Sequence, residues 1–177
     1  VGNNGSGKTV MMKCICGFLR PDDGRILVRD KEVGKDMDFP EDMGLIIETP
    51  GFLPGVSGLK NLKILASLRR IADEKKIRET MERVGLDPDL KKNVNKYSLG
   101  MRQRLGIAQA IMEDPSILIL DEPFNGLDKN GVAQIRNLIK DLRREGRTII
   151  LASHNQADID ELCDTVCEMD DGNMWRK

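Results

Sequence analysis

Apolar positions change their period along this chain, and the changes mark out its elements. Ile26 to Val28 and Gly44 to Ile47 are short apolar runs beside turn residues, Pro21-Asp22-Asp23-Gly24 before the first and Glu48-Thr49-Pro50-Gly51 after the second. Both read as strands. Between Leu59 and Val84 the spacing becomes helical: Leu62, Leu65 and Ala66, then Ile77, Met81 and Val84, recur on one face among lysines and arginines. Gly85 closes the second of the two helices this implies. A third helix is expected from about Ser98 to Met112, capped by the Ser98 hydroxyl and stopped ahead of Pro115. Ile117 to Leu120 is a continuous apolar run of the kind a parallel strand buried on both faces requires, and Thr148 to Ala152 repeats it after a helix from Gly131 to Arg144. The pattern predicts an α/β domain over residues 1–177, with a mostly parallel sheet flanked by helices and an α-helical lobe inserted at about residues 50–113.

Ahead of these elements stands Gly2-Asn3-Asn4-Gly5-Ser6-Gly7-Lys8-Thr9, running into a helix-compatible stretch from Val10 to Phe18. Its glycines let the backbone approach an anion without a Cβ in the way. The N–H groups of Asn3, Asn4, Gly5, Ser6 and Gly7, and those opening the helix through Val10, can then point at phosphates. Lys8 is expected to reach the β and γ phosphates, and the Thr9 hydroxyl to ligate the magnesium that neutralises them. The loop starts at the second residue, with no room in front for the strand that such a loop follows. A nucleotide-binding domain lacking its beginning is the expectation.

The strand at Ile117 to Leu120 ends in Asp121-Glu122-Pro123. Ligands of open parallel sheets lie at the carboxyl ends of the strands, so these acids should face the phosphates held at Gly2 to Thr9. Asp121 is placed to hold magnesium through water, and Glu122 to accept a proton from, or orient, a water attacking the γ phosphate. His154, the single histidine, follows the strand Thr148 to Ala152, which should lie beside the one carrying Asp121; its imidazole is a candidate hydrogen-bond sensor of the γ phosphate. Ser98-Leu99-Gly100 offers a hydroxyl, a glycine and free N–H groups at a helix start. On the residues alone an ordinary N-cap and a second anion site both remain open there.

Composition narrows this little. Lys+Arg 28 against Asp+Glu 29 leaves a net charge of -1, which gives no reason to expect a nucleic-acid partner. No apolar run nears the ~18 residues needed to span a bilayer, so a soluble domain is expected. Cys14 and Cys16 on the first helix, with Cys163 and Cys167 spaced as one helical turn, could assemble a zinc site. Cys-x-Cys on a helix splays its side chains, however, and reduced thiols are the plainer expectation.

Taken together, these stretches resemble the nucleotide-binding domain of ATP-binding cassette (ABC) transporters, over the span from the first residues to about Gly172. Gly2 to Thr9 matches the Walker A loop of a P-loop NTPase, Tyr97-Ser98-Leu99-Gly100-Met101 stands where the signature motif belongs, and Ile117 to Glu122 matches Walker B. Asn125-Gly126-Leu127-Asp128 resembles the D-loop, and His154 the switch histidine. The resemblance implies ATP and Mg2+ as ligands, ATP hydrolysis with Glu122 as base, and a head-to-tail homodimer or paired cassette. In such a pair Ser98 and Gly100 of one copy bind the γ phosphate on the other. It also implies a separate transmembrane permease, and with it a cytoplasmic location on the inner face of the membrane. Two departures stand out: Leu99 and Met101 replace a glycine and a glutamine of the signature, and Glu48 occupies the place of a glutamine expected to meet magnesium or water. Both are similar to the ATPases of bacitracin- and lantibiotic-type exporters, which points to export of antimicrobial peptides. A soluble non-transport cassette ATPase, and a nucleotide-binding interaction module without turnover, are the alternatives.

Overall fold

The computed structural model describes all of residues 1–177. Helix α1 (Lys8–Ile15) follows the glycine-rich loop directly. A two-stranded antiparallel ribbon, β1 (Leu27–Val28) and β2 (Lys31–Glu32), comes next, and then strand β3 (Met43–Ile46). Helices α2 (Gly58–Arg69), α3 (Glu74–Arg83) and α4 (Leu99–Ile111) lie between β3 and β4 (Ile117–Asp121). The chain continues through α5 (Lys129–Arg144), β5 (Thr148–Ala152), α6 (Gln156–Leu162) and a hairpin of β6 (Cys167–Asp170) and β7 (Asn173–Arg176).

The central sheet is parallel in the order β3-β4-β5, with Ile46 opposite Leu120 and Asp121 opposite Ala152. Strand β4 is buried on both faces, as its unbroken apolar sequence requires. Leu118 and Leu120 join the main core with Leu105, Ile107 and Ala108 of α4 and Ile135, Leu138, Ile139 and Leu142 of α5. Ile119, on the opposite face, packs with Met12 and Cys16 of the first helical segment. The α5 residues fall at intervals of three and four, which turns one stripe of that helix inward.

Helices α2 and α3 extend the same core through Leu62, Ala66, Ile77, Met81 and Val84. Each begins at a side-chain cap: Ser57 accepts from Lys60 N–H, Asp73 from Lys76 N–H, and Ser98 of α4 from Met101 N–H. Gly85, with φ 76°, follows α3 in the left-handed conformation that ends a helix.

Two sequence expectations need correction. Strand β5 is only partly buried: Ile149, Ile150 and Leu151 remain accessible because they border an apolar groove of ≈ 520 Å³ shared with α1 and β6. Cys163 and Cys167 do not share a helix. The first caps the end of α6 and the second opens β6, and all four cysteines are free thiols. No group of three or more His, Cys, Asp or Glu side chains is placed so that it could hold a metal ion. No helix is long and apolar enough to cross a membrane.

Candidate functional site

The loop before α1 has Gly2, Gly5 and Gly7 at φ 144°, 83° and 108°, angles that L side chains rarely adopt. At Gly2 there is a second reason for glycine: a Cβ would lie 2.1 Å from the Met169 carbonyl oxygen of β6. The hairpin supports the loop at further points. Met169 N–H donates to Val1 O and Gly172 N–H to Ser6 O. Lys8 bends over the loop, its Nζ donating to Gly2 O at 2.7 Å and Asn3 O at 2.8 Å. The ammonium therefore spans the cradle that the backbone forms, with the first turn of α1 at its base.

Thr9, one residue into α1, donates its hydroxyl to Asp121 Oδ2 at 2.7 Å. Residues 112 apart in sequence are thus joined where β4 meets the loop. A hydroxyl and a carboxylate side by side are hard oxygen donors, the set that suits magnesium rather than a softer metal.

Glu122 follows at φ 48°, a left-handed angle uncommon for a residue with a side chain. The backbone is held there by Glu122 N–H donating to Ala152 O at 3.0 Å and by Gln103 Nε2 donating to Glu122 O at 3.3 Å. Its carboxylate lies 2.8 Å from Nδ1 of His154. A carboxylate only accepts, so the contact assigns the proton to Nδ1 and leaves Nε2 of the largely exposed ring free. A neutral ring so placed accepts through Nε2; to donate to a phosphate oxygen as well, it has to carry the second proton.

The loop bearing His154 has supports that the sequence reading missed. Buried Ser153 donates to Asp158 Oδ2 at 2.7 Å, and Arg136 Nε of α5 donates to Asp158 Oδ1 at 2.9 Å. The Arg136 guanidinium also sits 5.9 Å from the Phe124 ring centroid, two residues beyond Glu122. One cation therefore braces both the β4 end and the β5 end. Nothing in the sequence spacing of Arg136 and Asp158 signals this pairing.

Other expected residues lie elsewhere. The Ser98 hydroxyl is engaged by Met101 N–H at 3.2 Å, and no hydrogen bond links Ser98 or Gly100 to residues 2–9 of the same chain. Gly100 packs instead on the Asn125–Asp128 turn, where a Cβ would lie 2.6 Å from Gly126 O. Glu48, at φ 59°, pairs its carboxylate with Lys13 Nζ of α1 at 2.7 Å rather than with Thr9 or Asp121. Asn3, Asn4, Gly5 and Val10 are exposed at the loop surface.

A parallel sheet whose strand ends carry acids against a glycine loop and helix N-terminus defines a P-loop nucleoside triphosphatase fold. The chain belongs to the ABC transporter family, whose model matches residues 1–125. It is similar to the uncharacterized ABC transporter ATP-binding protein YybJ of Bacillus subtilis, at 43% identity over 98% of this chain and 79% of that one. The bacitracin transport ATP-binding protein BcrA of Enterococcus faecalis is 40% identical over 98% of this chain; there the match spans 57% of the relative's length. Among solved structures, a dimeric post-hydrolysis state of the ATP-binding cassette MJ0796 bound to ADP and Pi superposes with TM-score 0.85 at 20% identity, covering 99% of this chain and 82% of that one.

Proposed function

We propose that the chain binds ATP with magnesium and hydrolyses it as the cassette subunit of a transporter, driving a separate membrane permease from the cytoplasmic side. The observation that carries this reading is the convergence of Lys8, the Thr9–Asp121 hydrogen bond and the Glu122–His154 contact on one end of the sheet. Lys8 and the N–H groups of residues 3–10 receive the triphosphate, Thr9 and Asp121 hold the magnesium, and Glu122 orients and deprotonates the attacking water. Bound there, the metal supplies charge neutralisation at the terminal phosphates. His154 positions the Glu122 carboxylate through its Nδ1 proton, and donates to the γ phosphate only when Nε2 carries a proton as well. Residues 50–113 act as the arm that meets the permease.

Ser98 and Gly100 are the γ-phosphate contacts of a second copy, a role supported by the likeness of Tyr97 to Met101 to the signature motif of paired cassettes. Export of an antimicrobial peptide is the transport reading we favour, because bacitracin transport proteins are among the relatives and Glu48 and Leu99 depart from the commoner pattern in the same direction.

The test is the mass in solution of Glu122→Gln with and without magnesium-ATP. A monomer that becomes a dimer only with nucleotide, with turnover lowered by about 10²- to 10⁴-fold, is expected of a lost general base. Adding Ser98→Arg should abolish the dimer while sparing nucleotide binding. Normal turnover by Glu122→Gln refutes the base assignment, and an unaffected dimer in Ser98→Arg refutes the pairing.

A further inference from the structure

Lys13 has no part in the chemistry above, yet it makes the one polar contact of Glu48. Its place on α1 is informative. Lys13 lies four residues beyond Thr9, one turn along the same helix face, and Thr9 is bonded to Asp121. The face that meets the metal-binding acid therefore also presents a cation.

The loop that Lys13 grips is under constraint at both ends. Glu48 is held at φ 59°, a conformation that a residue with a side chain keeps only where its surroundings enforce it. Two residues on, Pro50 packs against α4 so closely that a Cβ on Gly106 would be 2.6 Å from its Cγ. Residues 48–50 thus span from the phosphate-loop helix to the helix that Ser98 caps.

Charge gives the contact its meaning. Asp121, Glu122 and Glu48 put three carboxylates at the ends of adjacent strands β3 and β4, where a triphosphate brings several more negative charges. A neutral side chain at position 48 would add none. With Lys13 at 2.7 Å, Glu48 and its partner together are neutral as well.

We propose that Lys13 is a positioning residue for ATP binding, neutralising Glu48 and holding residues 48–50 against α1 so that a carboxylate is tolerated beside the nucleotide. The inference rests on the ATPase reading above.

It is tested by steady-state hydrolysis of magnesium-ATP by the full chain as wild type, Lys13→Met, Glu48→Gln and the double variant, with a thermal melt of each. Lys13→Met should raise KM about three- to fivefold, the range an exposed charge contact supplies, with kcat changed less than about twofold and the melt unaltered. The KM increase should shrink with added salt. Glu48→Gln in the Lys13→Met background should return KM to near the wild-type value, because no unpaired charge then remains. An unchanged KM in Lys13→Met, or a double variant as impaired as Lys13→Met, overturns the proposal. Wild type without any Lys8-dependent hydrolysis is a different result: it removes the ATPase reading itself, and this inference with it.

Discussion

Gly44→Ala should be among the most damaging single-methyl changes in the molecule, and the reason is steric alone. Gly44 lies in β3 with an ordinary strand φ, so alanine meets no backbone penalty there. Its Cβ, however, would lie 1.9 Å from Ala110 O and 2.8 Å from Pro115 Cγ. Ala110 is inside α4, so the obstacle is a helix backbone rather than a side chain that can rotate away. Restoring an ordinary contact requires β3 and α4 to part by roughly 1.5 Å, which forfeits much of the dispersion between Ile46 and the α4 side chains. Overpacking of this kind costs about 1–3 kcal/mol, and the rigid obstacle places Gly44→Ala at about 3 kcal/mol. For a domain of this size that corresponds to a fall in Tm of about 6–12 °C. Gly51→Ala is the control: a Cβ there meets nothing within 4 Å, and its stability should stay within about 0.5 kcal/mol of wild type. Urea unfolding of both variants decides the matter. A loss below about 1 kcal/mol in Gly44→Ala, with an unchanged m value, would show that β3 and α4 are not in the close contact described.

Two further outcomes follow from buried groups. Arg136→Met should cost about 3–5 kcal/mol in urea unfolding, because it leaves Asp158, with a side chain only 2% exposed, charged and without its cation; a small effect would mean that solvent reaches Asp158. Burial pushes the Cys16 thiol up from 9.0 to about 11, since the thiolate is disfavoured where it cannot be hydrated. Its alkylation at pH 8 should therefore run about a hundredfold slower than that of an ordinary thiol. The native state retains this proton when the unfolded chain has lost it, so the linked stability is present below pH 9 and declines as pH rises towards 11. Equal rates at Cys14 and Cys16, followed by mass spectrometry, would contradict that burial.

Much of the fold was legible because its signals were strong. Strand β5 falls at the residues expected, β3 and β4 within one residue, and α4 begins at the Ser98 cap, since unbroken apolar runs and cap residues leave few alternatives. The misses have separate causes. Strand β1 was expected at Ile26 to Val28 but its partner β2 was not, because their ribbon turns at Arg29 and Asp30, both at positive φ, where a glycine or asparagine is the usual sign. The β6–β7 hairpin did carry such a sign, Asp171-Gly172 at φ 45° and 76°, but its flanks are too polar to read as strands. At the site, the order of motifs pointed to Thr9, Asp121, Glu122 and His154, which the fold joins in two contacts, Thr9 with Asp121 and Glu122 with His154. Only three-dimensional structure could bring Lys13 to Glu48 or Arg136 to Asp158, because neither pair has a sequence spacing that implies contact.

The dependence of the glycine loop on the β6–β7 hairpin bears on how the protein is made. Val1 and Ser6 are made more than 160 residues ahead of their partners Met169 and Gly172. Helix α1 can form early, but the cradle it serves stays unsupported until the β6–β7 hairpin has emerged. Nucleotide capture is thereby deferred until the hairpin is made, so a nascent chain halted before residue 167 should hold ATP poorly even though the whole glycine loop is already present.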